Sequence, residues 1–82
     1  MIDYNRDAIG TVIRRLRTDQ KKSQEMTSGF AGIARSHLAM IEAGTKQPNF
    51  KTIWSIANAF GIRPSELVAL IENEAEKASQ NK

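Results

Sequence analysis

Residues 23–42 read SQEMTSGFAGIARSHLAMIE, and the rest of the chain is arranged around this stretch. It divides into two short helices joined by a four-residue corner, Ala31, Gly32, Ile33 and Ala34. Ser23 is a good N-cap for the first helix, because its hydroxyl can accept a free backbone N–H of the first turn. Gly32 ends that helix, since a left-handed residue is cheap only without a Cβ. The second helix covers roughly residues 35–43 and sets Leu38 and Ile41, three apart, on one side. Arg35, Ser36, Ala39 and Met40 fall elsewhere on the wheel, which leaves one face free for something other than core.

Two helices set at such a corner, the second with a free and varied face, have the outline of a helix-turn-helix, whose second helix enters a DNA major groove. The composition is compatible with that outline. A chain of 82 residues makes one domain, burying only about 60% of the surface its unfolded form exposes. Stability is therefore modest, and dimerisation would add to it. With no cysteine and a single histidine, His37, there is no disulfide or thiolate chemistry, no zinc cluster and no histidine–carboxylate set. Neither a metal nor a cofactor is expected, and with no phosphate-cradling glycine loop an enzyme is not expected either. No apolar run approaches the ~20 residues of a membrane span. The opening MIDYNRD lacks the basic-then-apolar order of a secretion signal. A cytoplasmic protein is the expectation.

The net charge of +3 is unevenly placed. Residues 1–48 hold eight Lys/Arg against five Asp/Glu, and residues 49–82 hold four of each. The whole excess thus lies with the helix pair, as a polyanion partner would require, although a solvated face can carry the same bias.

Before the pair, Ala8, Ile9, Val12, Ile13 and Leu16 form an amphipathic stripe. Arg14, Arg15, Lys21 and Lys22 lie off it, as ordinary solvated charge or as phosphate contacts. After the pair, Gly44 is placed as a cap and Pro48 breaks the helix. Asn49 can cap a fourth helix with Phe50, Ile53, Ile56, Ala57 and Phe60 on its buried side. Gly61 closes that helix, and Pro64 sits in the first turn of a fifth. The expectation is an all-α, five-helix domain over residues 1–77 whose last helix dimerises, with a frayed tail over 78–82.

The run IGTVIRRLR, then SQ, AGIARSHLAMIEAG, P and IWSIANAFGIRPSEL resembles the Cro and phage-repressor class of helix-turn-helix, also called the xenobiotic-response-element type. The likeness extends from about Ile9 to Leu67. It implies a compact lambda-repressor-like domain that binds a palindromic operator in double-stranded DNA as a homodimer to regulate transcription, as a repressor or controller. In this family Gln24 would hold a phosphate and buttress the reading helix. Arg35, Ser36 and Met40 would reach base edges; Arg35 is chemically the best suited, because a guanidinium donates two hydrogen bonds to guanine O6 and N7. Met40 offers apolar contact to a thymine methyl or trims the core. Ala34 stands where a capping Ser or Thr is common. His37 is a phosphate contact or a spectator, while Lys46 and the N–H groups opening the helix at Asn49 are placed to meet backbone phosphate.

Two positions carry a structural role by the same likeness: the letters Leu16-Arg17 and Ile41-Glu42 match those of an arginine–glutamate pair that ties the first helix to the reading helix. The first motif helix departs from the pattern. Lys21-Lys22 replaces a glycine–leucine pair, Thr27 replaces a leucine, and Met26 and Phe30 are left to supply apolar contact. For the dimer, Leu67, Val68, Leu70 and Ile71 make the last helix more apolar than a thin stripe needs, and Trp54 is either interface or core. An antitoxin or another protein-interaction module of the same fold is the alternative. RNA binding ranks third, because no aromatic platform on a sheet is in view.

Overall fold

The computed structural model describes residues 2–80. Among them are five helices and no strand: α1 (Arg6–Asp19), α2 (Gln24–Ala31), α3 (Arg35–Glu42), α4 (Phe50–Phe60) and α5 (Pro64–Gln80). Each start has a local chemical cause. Asn5 Oδ1 accepts from the Asp7 and Ala8 N–H groups, Ser23 Oγ from Met26 N–H, and Asn49 Oδ1 from Thr52 N–H. At α5, Glu66 Oε1 accepts from Arg63 N–H at 3.1 Å, and Pro64 fills the first helical position, where a missing N–H costs nothing. Helix α3 begins at Ala34 with no side-chain cap.

The α2–α3 corner depends on Gly32, whose φ of 69° is left-handed; a Cβ there would be strained. Helix α3 packs on α1 and α2, and α5 packs on α1 and α4. The core between them is built from Val12, Ile13, Leu38, Ile41, Ile56, Phe60 and Leu67, with Leu16, Leu70 and Ile71 partly buried against it.

Several expectations need correction. Phe30 is 67% exposed and Met26 is also at the surface. Helix α2 instead buries Thr27, Ser28 and Ala31, because Thr27 and Ala31, one turn apart, point inward and Phe30 falls about 100° away from Ala31. The Lys22 ammonium lies 5.5 Å from the Phe30 ring centroid. Phe50, placed on the buried side from its spacing, is 68% exposed. It stands in the first turn of α4, where no other element covers that side. Lys22 is not available to phosphate: its Nζ donates to the Ala59 carbonyl, and Gln20 Nε2 donates to the Phe60 carbonyl beside it. The two side chains satisfy carbonyls at the negative end of α4. Lys21 takes the left-handed φ of 57°, which explains why a glycine is at home at this position in the family. Helix α5 continues to Gln80, past the limit expected at Lys77; Ala75 is buried and Glu74 Oε1 accepts from Arg15, so its second half is anchored to the protomer. Residues 81 and 82 of the expected tail lie outside the described residues.

Gly10 carries no signal of its own in the sequence, yet it sets the distance between α1 and α3. A Cβ built on it would lie 2.6 Å from the Ile41 carbonyl oxygen and closer still to that of Glu42. Gly10→Ala should therefore push the helices apart at a cost of about 2 kcal/mol or more, read as a lower urea midpoint. Thr27 gives a change of opposite sign: its side chain is fully buried, and its hydroxyl oxygen has no hydrogen-bond partner. Thr27→Val keeps the shape and removes the unsatisfied group. It should add about 1 kcal/mol, seen as a melting temperature raised by roughly 4–8 °C; an unchanged or lower value would show that the hydroxyl is satisfied in solution.

Candidate nucleic-acid interface

The site is built from the junction of three helices. Arg17, in the last turn of α1, donates from Nε to Glu42 Oε2 at 2.7 Å and from Nη2 to Glu42 Oε1 at 2.9 Å. A third donation, Nη1 to the Lys22 carbonyl at 2.9 Å, holds the connection between α1 and α2. Gln24, the first residue of α2, donates from Nε2 to Glu42 Oε1 at 3.1 Å. One carboxylate at the end of α3 thus receives donors from both preceding helices. The Glu42 side chain is only 4% exposed and that of Arg17 14%. Hydrogen bonding to Glu42 raises the guanidinium pKa above its ordinary value, against the opposing effect of burial, and the carboxylate charge adds to the rise.

With its inner side fixed by Leu38, Ile41 and Glu42, α3 turns Arg35, Ser36, Met40 and, beyond its end, Ala43 to the outside. These positions follow spacings of one, four and three, a stripe along one side of the helix. Ala39, half-buried, adjoins it, so its middle is low. Arg35 forms no ion pair among the described residues, where the pairs are Arg15 with Glu74 and Arg17 with Glu42. Ala34 is exposed at the start of the stripe and His37 is half-buried at its edge. Lys46 is exposed in the connection to α4, and Asn49 is exposed with its side-chain oxygen engaged in capping. Arg14, exposed on α1, borders a shallow cleft with Gln24, Ala39 and Ala43, and the Arg17–Glu42 pair forms its floor. Among the described residues no cluster of His, Cys, Asp or Glu is placed to hold a metal ion, and no helix is long and apolar enough to cross a membrane.

A second surface lies elsewhere. Phe50, Trp54, Val68 and Ala69, with Pro64 and Ser65, line an open groove between α4 and α5. Phe50 and Trp54 meet edge to face with ring centroids 5.9 Å apart. Trp54 is half-exposed here, but Leu67 is fully buried and cannot meet a partner. It faces into the protomer from α5, and Leu70 and Ile71 are mostly drawn in beside it. Val68, one position on, and Phe50 and Trp54 on α4 are the large apolar residues that the outer face presents. Helical spacing alone did not separate Val68 from Leu67, because both belong to the same apolar run of α5.

Five helices packed in this order, with the third turned outward from a rigid corner, define a helix-turn-helix DNA-binding domain. The family model described as HTH_3, helix-turn-helix, matches residues 13–67. The chain belongs to that family, of the Cro and phage-repressor type. It is similar to the uncharacterized HTH-type transcriptional regulator y4dL of Sinorhizobium fredii, 31% identical over 80 residues, which cover 93% of this chain and 41% of the relative. It is also similar to the immunity repressor protein of Bacillus phage phi105, 33% identical over 60 residues, covering 73% and 42% respectively. This chain therefore corresponds to less than half the length of either relative. Among solved structures, the restriction-modification controller protein C.AhdI from Aeromonas hydrophila superposes with a TM-score of 0.73 at 32% identity, covering 76% of this chain and 94% of that one.

Removing Arg17 leaves the buried Glu42 carboxylate with Gln24 as its remaining side-chain donor. Arg17→Ala should destabilise the protein by about 3–5 kcal/mol, much of the stability of so small a domain, and should lower the melting temperature whether or not DNA is present. Weakened DNA binding at unchanged stability would instead assign Arg17 to recognition.

Proposed function

We propose that this chain regulates transcription, as a repressor or controller, by binding a palindromic operator as a homodimer with α3 of each copy in the major groove. The observation that carries this reading is the outward stripe of α3 held by a buried ion pair: Arg35 leads it with an unpaired guanidinium, and the pair behind it fixes the helix axis. Arg35 donates to the O6 and N7 of a guanine, Ser36 reaches a base or phosphate, and Met40 packs on a thymine methyl. The small Ala39 and Ala43 allow the helix to lie close to the bases.

Phosphates are held around this stripe. The second amide hydrogen of Gln24, together with Arg14 across the cleft, grips one strand. Lys46 and the free N–H groups opening α4 at Asn49 grip the flanking backbone, with His37 at the edge. These contacts set position and orientation and do not read sequence. The likeness to a phage immunity repressor and to a restriction-modification controller supports a regulatory role. The function is binding rather than catalysis, in the cytoplasm where operator DNA is found.

The homodimer uses the α4/α5 face, with Trp54, Phe50 and Val68 at its centre. Helix α5 packs chiefly on α1 and α4, while α3 packs on α1 and α2, so pairing through this face keeps the reading stripe open. The protomer measures 35 × 24 × 23 Å, small enough for two copies side by side to set their reading helices about 34–36 Å apart, one turn of the duplex.

Binding to a selected operator, followed by fluorescence anisotropy, should weaken steeply with salt, with a log–log slope of about −0.9 for each phosphate neutralised. Arg35→Ala should cost about 1–3 kcal/mol and relax the preference at one base position in each half-site. Lys46→Ala should weaken operator and random duplex alike, with a shallower salt slope. Uniform weakening by Arg35→Ala would move that residue from base reading to phosphate contact.

A further inference from the structure

The exposed face of α5 carries Ser65, Val68, Ala69 and Glu72 at spacings of three, one and three, directly after Arg63 and Pro64. With Phe50 and Trp54 these residues line the groove between α4 and α5, and Arg63 and Glu72 mark its two ends along α5. Both ends are exposed. Neither side chain takes part in the ion pairs found among the described residues, which join Arg15 to Glu74 and Arg17 to Glu42. The backbone N–H of Arg63 is engaged by Glu66, but its guanidinium is not.

Opposite charges at the two ends of an apolar stripe have a simple symmetry consequence. The midpoint of positions 63 and 72 falls beside Val68, an apolar residue on this face that is 44% exposed. A twofold axis through that point turns a second α5 antiparallel to the first. Arg63 stands just before the first residue of α5 and Glu72 about two turns into it. Helical steps alone would turn the two positions to opposite sides, but both border the same groove, so the rotation sets each arginine toward the end where the partner's glutamate stands. Small side chains at Ser65 and Ala69 let the two helices approach, while Phe50 and Trp54 close over the flanks.

We infer that two copies of this chain lock in antiparallel α5 register through a reciprocal pair, Arg63 of each protomer against Glu72 of the partner subunit, formed twice about an axis at Val68. The inference rests on the homodimer reading and deepens it, because it names the contact that fixes register and selects a like partner. A foreign helix would need the complementary pattern at the same nine-residue spacing; a second copy carries it already. An isologous contact of this kind repeats every favourable pair twice, and reversing one charge turns two attractions into two repulsions.

That doubling gives a test with its own control. Full-length wild type, Arg63→Glu, Glu72→Arg and the double variant are compared by sedimentation equilibrium at low salt, with circular dichroism melts establishing that each protomer is folded. Glutamate at position 63 lies at the N-terminal end of a helix, where negative charge is favourable, so the protomer tolerates it. Wild type should dimerise, and each single variant should do so about tenfold more weakly or worse. An equimolar mixture of the two singles should recover a heterodimer, because all four facing charges are then opposite; the double variant should recover the homodimer. Neutral Arg63→Gln and Glu72→Gln should fall between wild type and the reversals, and they serve if a reversed protomer does not fold. A wild-type dimer whose strength ignores these changes, or singles that stay apart when mixed, overturns the lock and leaves the homodimer standing. A wild type that is monomeric both free and on operator DNA overturns the homodimer itself and the lock with it.

Discussion

The Glu42 carboxylate, buried at the end of α3, must be neutralised where it stands, and this requirement orients the helices around it. An isolated charge with so little contact with water would cost several kcal/mol. Arg17 answers it with a two-pronged donation whose planar geometry admits little rotation, and Gln24 adds a third donor from α2. Because Arg17 also holds the Lys22 carbonyl, the same guanidinium fixes the end of α1, the connection after it and the end of the reading helix. The apolar core beneath would tolerate some sliding of α3; the fork does not. Gly10 allows this closeness, since any larger residue would meet the α3 carbonyls before Arg17 reached its partner.

With α3 fixed, the molecule has two unlike outer surfaces. One is polar and small in the middle, beginning at Arg35, and belongs to the half of the chain that holds the surplus positive charge. The other is apolar, centred on Phe50, Trp54 and Val68, and belongs to the half whose charges balance. The surplus positive charge that attracts a polyanion belongs to the half of the chain that carries the first surface, which suits the second to pairing between copies. In the proposed complex, the register of the apolar face sets the spacing of the reading helices, so an error of one helical turn there would displace one reading helix from its groove.

How much was legible in the sequence follows from the range of the interactions. Caps are local: Ser23, Asn49, Gly32 and Gly61 each act within four residues, and all four mark helix ends in the structure. The pairing of residues 17 and 42 is not local; it was read through a family likeness, and the structure brings the two side chains together. Phe50, Phe30 and Leu67 were misplaced because periodicity assigns a residue to a face without saying whether another element covers that face. Helix α4 lacks a neighbour over the Phe50 side of its first turn, and α2 is too short for two apolar residues to decide its phase. Gly10 and Lys22 show a further limit. Their roles depend on backbone carbonyls of a distant helix, Ile41 and Glu42 for one and Ala59 for the other, and a carbonyl leaves no mark in the amino-acid letters.

Selection of bound fragments from a pool of random duplex DNA, with the wild-type chain at moderate salt, examines the reading stripe and the pairing of copies together. An enriched inverted repeat is expected, its half-site centres about 10–10.5 base pairs apart, with a guanine at the position in each half that Arg35 reaches. Recovery of no sequence above the non-specific background, or of a single unrepeated site, would contradict a domain that presents Arg35 from two symmetric, rigidly held helices.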